Sequence, residues 1–316
     1  MNETENRKMK GSFMNQKAFR GSLLLLLGSV IWGAAFAAQR MGMDHVQPFT
    51  FSGVRMLLAG LVLIPAAAVA KRKTAGRPAI AEAKKQQRTG GLLCGLFLFA
   101  ATSLQQAGLV YTSAGKAGFL TALYVVLVPV AGWLLFRKQP GRIIWLSVGL
   151  AVAALYLLCI PSTGFRLEPG DLMVLGCAVC FTGQILCVDH YAPKANGLEL
   201  ARDEFLITGV LSMTVAVLSE EIHPEGLLEA AVPILYTGIL SGAVGYTLQI
   251  IGQRDVNPTV ASLLMCLESV FAVLTGAVLL GERMTGREAA GCILMFTAVI
   301  LAQVSTLKKS APVQNG

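Results

Sequence analysis

The sequence predicts an all-α integral membrane protein, with ten transmembrane helices arranged as two inverted five-helix repeats. Three observations lead there. Of 316 residues 54% are apolar and only 14% charged, where a soluble domain carries about 25% charged residues. The apolar residues gather into ten runs, most of them close to the roughly 20 residues that cross a bilayer. The second half of the chain also repeats the first at an offset of 144 residues. This composition excludes a soluble enzyme on a single anchor. It also turns the net charge of +8 into a topology signal, and no nucleic-acid partner is expected.

Residues 1–20 are polar and basic (Arg7, Lys8, Lys10, Lys17, Arg20) and read as a mobile cytoplasmic tail. Segment 1, about 21–39, has the outline of a signal peptide, but its long leader and the nine runs after it make it an uncleaved first helix. Segment 2 is about 48–70 and starts at Pro48. A basic loop at 71–90 follows, then segment 3 at 91–111 and segment 4 at 115–136, with Pro129 inside it as a hinge or a static bend. Segment 5 is 142–160. The second set comprises segment 6 at 171–188, segment 7 at 204–220, segment 8 at 230–251, segment 9 at 257–281 and segment 10 at 288–305. Asn257 and Pro258 fit the cap and first turn of segment 9. Residues 21–160 form the first repeat, 171–305 the second and 306–316 a cytoplasmic tail. Seven cysteines fall in or beside the apolar runs. Their odd number argues against a disulfide framework. Cys177 and Cys180 lack a second cluster for a metal or redox site and read as small packing residues.

With the amino terminus inside, twenty Lys and Arg fall in cytoplasmic segments and five (Arg40, Lys116, Arg166, Arg283, Arg287) in external loops. Arg55 alone lies within a span. The loop after segment 7 carries Glu220, Glu221, Glu225 and Glu229 without a base. By the positive-inside rule both termini are cytoplasmic.

The repeat pairs Leu104 with Leu248, Gln105 with Gln249, Gly108 with Gly252 and Leu123 with Leu267; segments 1 and 6 match at an offset of 149, Gly21 with Gly170. Five helices per repeat force opposite orientations, the architecture many secondary transporters use for alternating access. Glu268 lies ten residues past Pro258, about 15 Å deep at 1.5 Å per residue, near the middle of the hydrocarbon. A charge there costs at least about 2.5 kcal/mol to insert and belongs in a bundle interior or a wet cavity. Its repeat mate is Tyr124, so the two should face one central cavity as substrate or coupling groups. Gln105, Gln106 and Gln249 are gate residues or interhelical glue. Arg55 snorkels outward, pairs with Glu268 or meets a substrate carboxylate. Trp32 stacks on substrate or packs, Phe181 is its mate, and Gln184 and Tyr246 are further candidates. Lys116 is expected in solvent at the outer end of segment 4.

The three histidines lie in loops, and no metalloprotease, phosphate-binding or nucleophile-elbow motif is present. No enzyme, cofactor or metal is therefore expected, and energy coupling falls to protons or a counter-solute. Three stretches, WGAAFAAQR at 32–40, FTFSGVRMLLAGLVLIP at 49–65 and YTSAGKAGFLTALYVVLVPVAGWLLFRKQP at 111–140, together with the 257–295 region, resemble the drug/metabolite transporter superfamily, EamA type. The resemblance covers roughly residues 20–305. It implies two inverted EamA repeats around a cavity between helices 1, 3, 4, 6, 8 and 9, and movement of small-molecule solutes, often amino-acid or drug export, across a bacterial-type plasma membrane. Arg55 matches the family's segment 2 arginine and Glu282 its LGE at the end of segment 9, where FRK stands in the first repeat and leaves Glu282 a helix-end role. A homodimer is compatible with this reading. The competing class is a non-transporting membrane receptor or assembly subunit on the same scaffold.

Overall fold

A computed structural model describes residues 3–74, 81–137, 139–160, 167–279 and 284–310, and these are helical with no strand among them. Span 1 is Glu3–Gly33 followed by Ala35–Met43, span 2 Pro48–Thr74, span 3 Ala81–Leu109, and span 4 Ala114–Ala122 followed by Tyr124–Phe136. Span 5 is Arg142–Cys159, span 6 Pro169–Tyr191 and span 7 Gly197–Ser219. A short helix, Pro224–Glu229, precedes span 8, which runs through Ala231–Leu235, Tyr236–Tyr246 and Thr247–Gln253. Span 9 is Pro258–Met265 followed by Glu268–Leu279, and span 10 is Gly286–Ser310.

Local chemistry sets the helix starts. Asn257 accepts a hydrogen bond from the Thr259 amide with Pro258 in the first turn, as the sequence predicts. Asn196 caps span 7 through the amides of Leu198 and Glu199. Glu168 and Asp171 form a reciprocal capping box around Pro169. Three boundaries differ from those expected. Span 7 begins at Gly197, two turns before the expected 204, because its cap lies at Asn196 and the run ELARDE continues the helix. Spans 2 and 3 extend to Thr74 and from Ala81, so helix replaces most of the expected loop at 71–90. Helix also begins at Glu3, so the leader expected to be mobile continues span 1. Glu282 lies outside the described residues.

Nine helices among the described residues are long and apolar enough to cross a membrane. The tenth, span 7, has Arg202, Asp203 and Glu204 in its first turns, which lowers its hydropathy, and it packs along spans 2 and 3. Large apolar side chains such as Leu61, Leu134, Val210 and Ile293 are exposed on the outer faces, as a lipid solvent allows.

The packing obeys the repeat. Span 3 lies against span 6, and span 8 against span 1; span 4 touches span 6, and span 9 touches span 1; span 3 touches span 7, and span 8 touches span 2. Each of these contacts has its mate in the other half. The far face is the side on which span 1 ends, and the near face is the side on which span 8 ends. At the near face Gly21 and Gly252 meet backbone to backbone: a Cβ on either would lie 2.7 Å from the other's carbonyl oxygen. At the far face their repeat mates, Gly170 and Gly108, meet in the same way, with corresponding distances of 2.3 and 3.0 Å. Association in lipid relies on such close backbone approach, since burial in lipid supplies little hydrophobic drive.

Candidate functional site

The site starts from two helix breaks at matched positions. Span 4 breaks at Leu123 and span 9 at Cys266–Leu267, which are repeat mates. At both, the ladder tightens from i−4 to i−3: Val126 N donates to Leu123 O at 3.0 Å, and Ser269 N to Cys266 O at 3.2 Å. The carbonyl of Ala122, released from its helix, accepts from the Cys266 thiol at 3.7 Å. Ala122 and Cys266 are themselves repeat mates, so this contact lies on the pseudo-twofold axis. A side chain inserted into the ladder is a recognised cause of such breaks. Pro129, by contrast, sits inside an unbroken helix, six residues past the break. Each second half-helix begins with a residue singled out from the sequence, Tyr124 in span 4 and Glu268 in span 9.

Both face one cavity. Eight of the nine sequence-predicted residues line it: Glu268, Tyr124, Gln105, Gln249, Trp32, Gln184, Tyr246 and Arg55. Three repeat-related pairs are thus brought together (Tyr124 with Glu268, Gln105 with Gln249, Trp32 with Phe181). Gln106 is not among them. It is fully buried and neither end of its amide has a hydrogen-bond partner among the described residues. Span 2 joins the wall through Arg55, beyond the six helices that the resemblance implies.

Glu268 and Arg55, both in the wall, form no ion pair with each other. Glu268 is 8% exposed and makes no hydrogen bond or ion pair among the described residues. Arg55 is 4% exposed. Its guanidinium lies 5.6 Å from the Phe51 ring centroid, and its Nε has no acceptor among the described residues. The remaining wall is fixed by polar and aromatic contacts. Trp32 donates from Nε1 to the Ser241 carbonyl at 3.0 Å and meets Tyr246 edge-on at 5.0 Å. Ser241 lies in a π-helical stretch, Tyr236–Tyr246, a geometry that recurs at functional sites. Gln105 donates to Thr121 at 3.1 Å.

Sequence reasoning missed two buried carboxylates, Glu204 and Asp171, and misplaced a lysine. Glu204, left at the predicted edge of segment 7, is fully buried inside span 7 and accepts from Gln184 Nε2 at 2.8 Å. The signal was present: Leu200, Ala201, Glu204, Phe205 and Thr208 recur at helical spacing on one buried face. Lys116, expected in solvent, is buried instead, 2.9 Å from Asp171 and 3.0 Å from Glu168. Asp171 also accepts from Thr112 at 2.7 Å, and this network closes the far face between spans 4 and 6. Among the described residues no group of three His, Cys, Asp or Glu could hold a metal ion.

Comparison with known proteins places these features in a family. The model of the EamA-like transporter family matches residues 19–160 and 168–303. A protein of Archaeoglobus fulgidus named as an uncharacterized transporter is 29% identical over 94% of this chain and 90% of its own length. An S-adenosylmethionine/S-adenosylhomocysteine transporter of Chlamydia muridarum is 25% identical over 82% of this chain and 84% of its own length. The threonine/homoserine exporter RhtA of Salmonella typhimurium is 29% identical over 56% of this chain and 58% of its own length.

Proposed function

The chain belongs to the EamA-like transporter family, and on that premise we propose that it is a secondary transporter which exports small zwitterionic metabolites of the amino-acid type by alternating access through the central cavity. The observation that carries the reading is the pair of groups of opposite charge type, Arg55 and Glu268, lining one mid-membrane cavity without an ion-pair or hydrogen-bond partner among the described residues. Burying a charge costs several kcal/mol unless a partner offsets it. A solute with an α-carboxylate and an α-ammonium supplies both partners at once, the carboxylate to Arg55 and the ammonium to Glu268. The glutamines and Thr121 then read the solute's polar groups, and Trp32 and Tyr246 cover its apolar part. The solutes named for the Chlamydia and Salmonella relatives all carry that pair of charges, and RhtA's name supplies the export direction. In this reading the protein lies in the plasma membrane with both termini in the cytoplasm.

Purified protein in liposomes, with radiolabelled threonine and S-adenosylmethionine as probes, tests it. We expect saturable counterflow of at least one probe. Glu268→Gln and Arg55→Gln should each lower kcat/KM about tenfold to a hundredfold, the worth of one charge-assisted hydrogen bond. Failure of the wild type to move these probes or any of a panel of other amino acids, or transport indifferent to both substitutions, would overturn the reading.

A further inference from the structure

A chain of side-chain amides leads from the cavity wall to a carboxyl outside it. Gln249 and Gln184 line the cavity. Gln249 Nε2 donates to Gln184 Oε1 at 3.2 Å and to Gln253 Oε1 at 3.0 Å. Gln184 Nε2 donates in turn to Glu204 Oε1 at 2.8 Å. Glu204 is fully buried, and its other oxygen, Oε2, has no partner among the described residues. We propose that Glu204 is a proton-binding site, separate from the substrate site, and that its protonation reverses the hydrogen-bonding polarity that Gln249 presents to the cavity.

The direction of the chain follows from what each group can do. An ionised carboxylate only accepts, so Glu204 holds the NH₂ of Gln184 towards itself. Gln184 Oε1 is then left to accept from Gln249. Both N–H groups of Gln249 are thereby spent, and its Oε1 is the atom left for a solute. A proton taken from water and carried on Oε1, the Glu204 oxygen that faces Gln184, turns the carboxyl into a donor. Its O–H satisfies Gln184 Oε1 once that amide has turned over, Gln184 Nε2 and the otherwise unpartnered Gln253 Nε2 then donate to Gln249 Oε1, and Gln249 offers an N–H where it had offered a carbonyl. No bond other than the O–H forms. The titratable groups facing Glu204 are Cys94 on span 3, Cys187 on span 6 and Tyr246 on span 8, with Arg55 on span 2 acting on Tyr246. None is a carboxylate that would compete for the proton. The role of this proton as a coupling ion rests on the transporter reading above, whereas its binding does not.

Infrared difference spectroscopy of the purified full-length chain in lipid nanodiscs, titrated from alkaline to acid pH with no solute added, tests the proposal independently of transport. The Glu268→Gln protein should show a protonated-carboxyl band that rises as pH falls, accompanied by a change in the glutamine side-chain amide bands. Adding Glu204→Gln should remove that carboxyl band. Adding Gln184→Leu should keep the band and abolish the amide change. Should Glu204→Gln fail to fold, Glu204→Asp replaces it, and the band should then shift its midpoint. A carboxyl band that survives Glu204→Gln, one that ignores Glu204→Asp, or a titrating carboxyl with no amide response would each overturn the proposal. Absence of solute transport would sink the proposed function and leave this result standing.

Discussion

Lys116 and Asp171 show what a buried charge requires in this protein. The lysine is 6% exposed and the aspartate fully buried, and each has its partner within 3 Å. Removing one side strands the other. We expect Lys116→Met to destabilise the protein by at least about 2 kcal/mol, read as a lower unfolding temperature in detergent, with Lys116→Met/Asp171→Leu recovering most of the loss. Glu268 and Arg55 differ in kind: each is buried with no ion-pair or hydrogen-bond partner among the described residues, Arg55 having only the Phe51 ring beside it, an unfavourable arrangement unless a ligand completes it. Glu268 was legible in the sequence because a carboxylate ten residues into an apolar run is too deep to reach water past either end of its helix. Glu204 was legible only in part: its spacing with Leu200, Ala201, Phe205 and Thr208 marks a buried face, but Arg202, Asp203 and Glu199 around it near a helix start read as a solvated end, and the packing of spans 3 and 6 against it decides for burial.

Elements show a similar division. The ten helices and their pairing were visible because the bilayer dictates helix length and the repeat dictates order. The breaks at Leu123 and Cys266–Leu267 were not, since the residues around them include no proline or glycine at the break itself; what sits there is a contact between spans, the Cys266 thiol on the Ala122 carbonyl. Pro129 drew attention for good local reasons, yet a proline whose neighbours satisfy the freed carbonyl need not break a membrane helix. The π-helical stretch of span 8 was equally hidden, and it positions Trp32. A Cβ on Gly245 would lie 2.7 Å from Trp32 Nε1. We therefore expect Gly245→Ala to displace the indole and break its bond to Ser241. The check is Trp32 fluorescence in a Trp133→Phe/Trp145→Phe background, which should shift in wavelength and in accessibility to a quencher; an unchanged spectrum would show that the π-helical stretch has slack.

At the scale of the whole molecule, the two glycine contacts are copies of one another on opposite faces. Gly21 with Gly252 closes spans 1 and 8 at the near face, and Gly170 with Gly108 closes spans 6 and 3 at the far face. A bulky residue in either pair should part only its own face. Spin labels across spans 1 and 8 at the near face and across spans 3 and 6 at the far face should therefore respond separately: Gly252→Leu should lengthen the first distance, and Gly170→Leu the second. Equal lengthening of both would show a general loosening of the bundle. At the glycine contacts themselves, backbone against backbone leaves no side chain that could swing aside like a latch. Rotamer changes, fast and nearly free, cannot part either glycine pair. In the alternating-access reading, opening would move whole helices as rigid levers, each with its fulcrum where the opposite glycine pair stays shut, so the main chain would set the pace of that motion.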